Sequence, residues 1–235
     1  MHQNDSLKIS IIIPVLNEAE HIGDLLKYLN DICNIVYVKE IIIVDGGSTD
    51  NTPTIAKEFG AILIHSEKGR AKQMNLGAEK ATGSINYFLH ADTLPPKDFD
   101  THIINAVAFG IPSGCFRMKF DSNNWLLRAS GWLTRINIKV CRGGDQSLFI
   151  TKKLWDRSDG FNESYIIYED TEFIGRLYKL GDFKVLPQTV LTSARKYKKN
   201  GTIRLQYHFG VIHFMKLMGA GPERLYRYYK KNIVV

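Results

Sequence analysis

The stretch "IIIVDGGSTDNTP", residues 41–53, is a continuous apolar run that stops at an acid, two glycines and a cluster of hydroxyls. A run of that length bounded by turn residues reads as a strand buried on both faces. The Thr-Pro pair at 52–53 then opens a short helix, because proline is tolerated in a first helical turn. The stretch is therefore a strand–turn–helix unit, with Asp45 at the carboxyl end of the strand.

The same grammar repeats on either side. "ISIIIPV" (9–15) reads as a buried strand, followed by an amphipathic helix in "LNEAEHIGDLLKYLNDI" with Ile22, Leu25, Leu26 and Leu29 on one face. "AILIH" is a third strand, "GRAKQMNLGAEKA" a helix and "SINYFLHAD" (84–92) a fourth strand. Strands alternating with helices at this spacing predict right-handed βαβ units and a mostly parallel sheet. Beyond residue 95 the rhythm changes. Helices are expected in "PKDFDTHIINAVAFG" and "EDTEFIGRLYKLG" (169–181), strands in "GCFRMKF" and "QSLFI", and residues 121–145 read as irregular. The fold class expected is α/β, a single Rossmann-like domain with a helical C-terminal tail.

Bulk properties narrow the class. The 235 residues carry 31 Lys and Arg against 24 acids, a net charge of +7. From Arg195 onward there are ten basic residues and one acid, Glu223, so the excess sits in the tail. A tail-confined charge without a nucleic-acid-reading motif argues against a nucleic-acid partner and leaves an anionic membrane surface or plain solvation. Residues 203–218, "IRLQYHFGVIHFMKLM", are apolar except for a thin stripe of Gln206, His213 and Lys216. At 1.5 Å per residue such a helix is roughly 24 Å long, too short to span a bilayer. It is expected to pack on the core, lie on a membrane, or form a homodimer contact with the helix in "GPERLYRYYKK". The first residues lack a signal-peptide layout, and three scattered cysteines argue for a reducing compartment and against a disulfide frame or structural zinc.

Ligands of open α/β sheets bind outside the carboxyl ends of the strands. Three strands here end in polar groups at that edge: Asn17 and Glu18, then Asp45, then His90 and Asp92. Singly, each fits a turn or cap residue; together they point to a ligand. Neither GxGxxG nor GxxxxGK[ST] is present. A diphosphate at an acidic edge needs a divalent cation, which makes Asp92 a candidate metal ligand and Asp45 an acceptor for a base or ribose. Lys68, Arg70 and Lys72 at a helix start suit phosphate, or a solvated helix end.

Taken together, "IIIPVLNE", "IIIVDGGSTDNT", "KGRAKQMNLGA" and "FLHADT" closely resemble, in order and spacing, the nucleotide-sugar half of family 2 glycosyltransferases. "GGDQSLFI" and "YEDTEFIGRL" resemble their acceptor half. "TSARK" and "GPERLYRYY" look most like a bacterial subgroup called radical-SAM/selenodomain-associated transferase 2. The resemblance implies a GT-A fold in residues 1–195 (nucleotide-sugar half 8–97, acceptor half 98–195) with an extension over 196–235. It also implies a nucleotide pocket formed by Pro14, Leu16, Glu18, Asp45, Gly46, Arg70, Lys72 and Asp92. "HAD" stands where the family has DxD, so Asp92 matches the acid that binds Mg²⁺ or Mn²⁺, and His90 replaces the other; the readings open for His90 are a metal ligand, a ribose contact or a packing residue. The Glu169–Asp170 pair matches the motif whose Asp is the general base of inverting members, although Asp170 also suits a helix N-cap. Gly144, Asp145, Gln146 and Arg195 are expected near donor or acceptor sugar.

The activity so implied is inverting, metal-dependent transfer of a sugar from a nucleotide diphosphate (UDP- or GDP-linked) to an acceptor hydroxyl, with a lipid-linked acceptor in view. The place expected is cytoplasmic, peripheral on the inner face of the cell membrane. The alternatives are a sugar nucleotidyltransferase and an inactive nucleotide-sugar or membrane-binding module. "TSARKYKKNG" (192–201) lacks the QxxRW of processive relatives. His65, His102, His208 and His213 show no metal spacing and read as packing or surface residues.

Overall fold

A computed structural model describes residues 7–181 and 183–233 of the chain. In chain order it contains β1 (Ile9–Val15), α1 (Ala19–Ile32), β2 (Val38–Asp45), α2 (Thr52–Glu58), β3 (Ile62–His65), α3 (Arg70–Lys80), β4 (Ile85–Phe88) and a two-residue β5 (Thr93–Leu94). These are followed by α4 (Phe99–Ala108), β6 (Ser113–Phe120), α5 (Trp125–Leu133), β7 (Leu148–Thr151), α6 (Lys152–Trp155), α7 (Glu169–Leu180) and β8 (Phe183–Thr192). Three helices close the described chain: α8 (Arg195–Asn200), α9 (Thr202–Leu217) and α10 (Pro222–Asn232).

The strands form one sheet in the order β3-β2-β1-β4-β7-β6-β8-β5. β3, β2, β1 and β4 are mutually parallel, as the alternation with helices predicts. Beyond β4 the sheet is mixed: β7 runs antiparallel to both β4 and β6, β6 and β8 pair in parallel, and β5 closes the edge antiparallel to β8.

All seven residues of β1 are buried because helices cover both faces of the sheet. Ile9, Ile11, Ile13 and Val15 point one way, into a core shared with Leu25 and Leu29 of α1 and Phe99 and Ile103 of α4. Ile12 points the other way, with Ile42 and Val44 of β2, against Ala71, Met74 and Ala78 of α3 and Phe173 and Leu177 of α7. The alternation follows from the two-residue period of a strand. α3 lies so close to the sheet that a Cβ on Gly77 would come within 2.4 Å of the Ile12 Cγ2. A third core joins Phe120 and Leu127 to Tyr197, Leu205, Ile212 and Leu225, and so fixes the C-terminal helices to the end of β6 and to α5.

Two regions depart from the sequence reading. Residues 121–145, read as irregular, contain α5 and two short 3₁₀ turns at Lys139–Cys141 and Gly144–Gln146. The whole of β8, for which no strand was expected, lies between β6 and β5.

Candidate active site

A cavity of about 1460 Å³ opens at the carboxyl ends of β1 and β4 and extends under the C-terminal helices. Pro14, Leu16, Glu18, Arg70, Lys72, His90, Asp92, Asp145, Gln146, Glu169, Asp170 and Arg195 all border it, so residues up to 181 positions apart share one space. Of the residues expected to form the nucleotide pocket, Asp45 and Gly46 do not border it.

Asp45 is buried at the end of β2, and its carboxylate is occupied locally. Oδ1 accepts the Ser48 N–H at 3.0 Å, and Oδ2 accepts the Gly47 N–H at 3.3 Å and lies 3.4 Å from His65 Nδ1. Asp45 thus holds the turn that the glycines make. Gly46 is needed for space: a Cβ there would stand 3.0 Å from the Gln73 side chain. Gln73 was not singled out in the sequence. It is buried, and its Nε2 donates to the Val15 and Val44 carbonyls at 2.8 and 2.7 Å, which joins the ends of β1 and β2. The signal was a polar residue on the face of α3 otherwise formed by Ala71, Met74, Gly77 and Ala78. Asp50, a turn residue by sequence, accepts from the backbone N–H groups of Ala19 and Thr52.

The acids divide into two groups. The first sits at the start of α7. Tyr168 precedes the helix in the left-handed region (φ 71°) and occupies the capping position without a side-chain bond, so Asp170 is not the N-cap. Glu169 and Asp170 instead fill the first turn, where the helix dipole favours carboxylates. Arg70 NH1 lies 3.2 Å from Glu169 Oε1, an ion pair not aligned as a hydrogen bond, and 3.9 Å from Asp170 Oδ2. His90 Nε2 is 3.7 Å from Asp170 Oδ2. Burial opposes ionisation of Asp170, but His90 and Arg70 outweigh it and hold the carboxyl below its ordinary range. Burial likewise opposes a charge on His90, and Asp170 outweighs it, so the imidazole binds its proton more tightly than usual. For Glu169 burial dominates, and its carboxyl is pushed up despite Arg70. Two adjacent carboxyls are thereby driven apart: Asp170 gives up its proton more readily than an ordinary carboxyl and Glu169 less readily.

The second group borders the same cavity. Arg195 bridges two acids, with NH2 2.7 Å from Glu18 Oε1 and Nε 3.3 Å from Asp92 Oδ2. Glu18 Oε2 is buried without a hydrogen-bond partner. Asp92 is pushed up by burial and then by the negative charge of Asp145, which outweigh His90 and Arg195. A crowded set of hard carboxylate oxygens with an unpartnered member is a donor set that fits Mg²⁺ or Mn²⁺. Asp92 is the side chain that would hold such an ion, with the negative charge of Asp145 acting on it. Among the described residues no three His, Cys, Asp or Glu side chains cluster as a complete metal shell, so ligand oxygens would have to finish it. His90 faces Asp170.

Other expected residues have found different work. Lys72 pairs with Glu67 at the rim. Gln146 is buried, accepting from Gly143 N–H at 3.2 Å and donating to the Phe116 carbonyl at 3.4 Å. Arg142, unassigned by sequence, is buried and donates to the Thr134 and Ile136 carbonyls at 2.7 and 2.5 Å, pinning the segment between α5 and Gly143. His208 and His213 bond Tyr228 and Tyr168, in keeping with a packing role.

The glycosyl transferase family 2 profile matches residues 10–162, well over half of the chain, and the chain belongs to that family. It is 40% identical over 97 residues to glycosyltransferase AglE of Haloferax volcanii (37% of this chain, 31% of AglE). It is 29% identical over 111 residues to the undecaprenyl-phosphate 4-deoxy-4-formamido-L-arabinose transferase of Pseudomonas fluorescens (43% of this chain, 33% of the relative). The chain thus spans only about a third of the length of these curated relatives. Among solved structures, mannosyltransferase PcManGT of Pyrobaculum calidifontis, in complex with GDP-Man and Mn²⁺, superposes with a TM-score of 0.67 at 20% identity, covering 94% of this chain and 69% of that one. At that identity the likeness establishes the fold, which is GT-A.

Proposed function

We propose that the protein transfers a sugar from a nucleotide diphosphate donor to an acceptor hydroxyl, with inversion at the anomeric carbon and with Mg²⁺ or Mn²⁺ at Asp92. The observation that carries this reading is the Asp170 carboxyl at the cavity wall, 3.7 Å from His90 and 3.9 Å from Arg70, in the space that Asp92 also borders.

In this reading the acceptor oxygen attacks the anomeric carbon while Asp170 takes its proton. The bond from that carbon to the diphosphate oxygen breaks on the opposite face, and the nucleoside diphosphate leaves with the bonding pair. A carboxyl held below its ordinary range in a buried site is suited to that proton transfer. The cation supplies charge neutralisation at the diphosphate when bound. Arg70 and Arg195, with Lys68 nearby, add positive charge where the leaving group develops negative charge. Pro14 and Leu16 form the apolar wall for the nucleotide.

The names of the relatives support the donor and acceptor classes: one acts on an undecaprenyl-phosphate carrier, and PcManGT is complexed with GDP-Man and Mn²⁺. The division at residue 195 and the subgroup resemblance belong to the same reading. Product analysis tests it. Incubation with UDP- and GDP-sugars and Mn²⁺ is expected to release the nucleoside diphosphate; release of pyrophosphate would identify nucleotidyl transfer instead.

A further inference from the structure

α9 is apolar on its outer side as well as on its inner one. Leu205 and Ile212 are buried in the core, and beside them Gln206 donates to Tyr197 Oη at 3.5 Å, His213 bonds Tyr168, and Lys216 bonds Tyr165. A second apolar stripe faces out. Ile203 is 74% exposed and Leu217 81%, and Tyr207 and Phe214 between them are exposed as well. The spacing 203, 207, 214, 217 is that of one helix face. A surface helix that meets water carries polar residues on that face.

α5 adjoins it. The two helices begin side by side, with Asn124 Nδ2 3.5 Å from Thr202 Oγ1, and Leu127 shares a core with Leu205 and Ile212. The outward residues of α5 include Trp125, 72% exposed, and Trp132. Beyond them Leu133 and Val140 are exposed and also border the cavity, as does Ile166, so the apolar surface runs up to the cavity mouth.

Charge selects the occupant. Arg128, Arg135 and Lys139 within residues 122–144, and Lys198, Lys199 and Arg204 within residues 195–222, are exposed, and neither segment contains an acid. Such a surface repels a second copy of itself and complements an anionic one. Exposed tryptophans flanked by unpaired arginine and lysine are the composition of a face that sits in the headgroup layer. No helix among the described residues is long and apolar enough to cross a membrane.

We propose that α5, the segment 133–140 and the outward stripe of α9 form one surface that binds anionic lipid and seats the cavity mouth against the bilayer. The surface gives an acceptor carried on a lipid a direct route to Asp170; that consequence, and only that, rests on the glycosyl-transfer reading. Vesicle binding requires no nucleotide, so its failure is distinct from failure of the enzymatic assignment.

The test is flotation of the full chain with phosphatidylcholine vesicles, with and without about one-third phosphatidylglycerol. The protein is expected to float with the anionic vesicles at low salt and to bind at least about tenfold more weakly to phosphatidylcholine alone or at high salt. The pairs Trp125→Ser with Trp132→Ser, and Phe214→Ser with Leu217→Ser, should each weaken binding at least about fivefold while leaving the melting temperature unchanged, since these side chains are exposed. Absence of binding to anionic vesicles at low salt overturns the proposal, as does undiminished binding by either pair. A wild-type dimer in light scattering that both pairs convert to monomer, without vesicle binding, would assign the face to a second copy and also overturn it.

Discussion

Arg195 and Glu18 stand 177 residues apart in sequence and 2.7 Å apart in space, and the same guanidinium reaches Asp92 at 3.3 Å. A residue beyond the last strand therefore neutralises the acids at the ends of the first strands. The account assigns both the cation and Arg195 to Asp92. Arg195→Ala should tighten Mn²⁺ binding in the absence of nucleotide and lower kcat by about ten- to a hundredfold, because the diphosphate loses a positive partner. Calorimetric titration with Mn²⁺ checks the first part. Unchanged Mn²⁺ affinity would separate Arg195 from the cation site.

α3 carries Arg70 to the site, and its approach to the sheet is set at Gly77. A methyl group there meets Ile12 and Val44, both in the buried interior of the sheet. Gly77→Ala should therefore destabilise the fold by about 1–3 kcal/mol, as overpacking of a dense core does. Thermal denaturation with a matched surface substitution in α3 as control measures it.

Glu40 supplies a stability term with a defined pH dependence. It accepts from Ser10 Oγ at 2.6 Å, Thr82 N–H at 2.7 Å and Thr82 Oγ1 at 2.9 Å. Burial opposes its ionisation, yet these bonds prevail and hold its carboxyl below the ordinary range. A depressed folded-state value means the contribution is complete above the unfolded value, about 4.3, and is lost as pH falls through the folded one. Glu40→Gln should lower the melting temperature at neutral pH and converge on wild type in acid. Parallel melting curves at the two ends of that range test the sign.

The first half of the chain was readable because its strands are buried on both faces and its helices carry one apolar stripe. The later half was not. β8 is interrupted by Pro187 and Gln188, residues that argue against a strand; the pairing with β6 skips them, passing from Phe116↔Leu186 to Arg117↔Thr189 across an irregularity that accommodates the proline. α5 was hidden because only Leu127 and Gly131 are buried, so it lacks an apolar stripe facing inward. Glu18, Asp92 and Arg70, singled out by type and position, and Glu169 and Asp170, singled out by the resemblance, all border the cavity. The Arg195 bridge and the Gln73 clamp were not legible in the sequence, since each depends on partners from distant strands. Asp45 kept its place at the end of β2 but acquired turn partners that no motif specifies.

The central claim is that Asp170 takes the acceptor's proton, and replacing its carboxylate by an amide of the same shape tests it most directly. With a true donor–acceptor pair, Asp170→Asn should lower kcat at least about a hundredfold, while nucleotide affinity, measured by calorimetry on the same preparation, stays within about twofold of wild type. Turnover by Asp170→Asn close to that of the wild type would contradict the account.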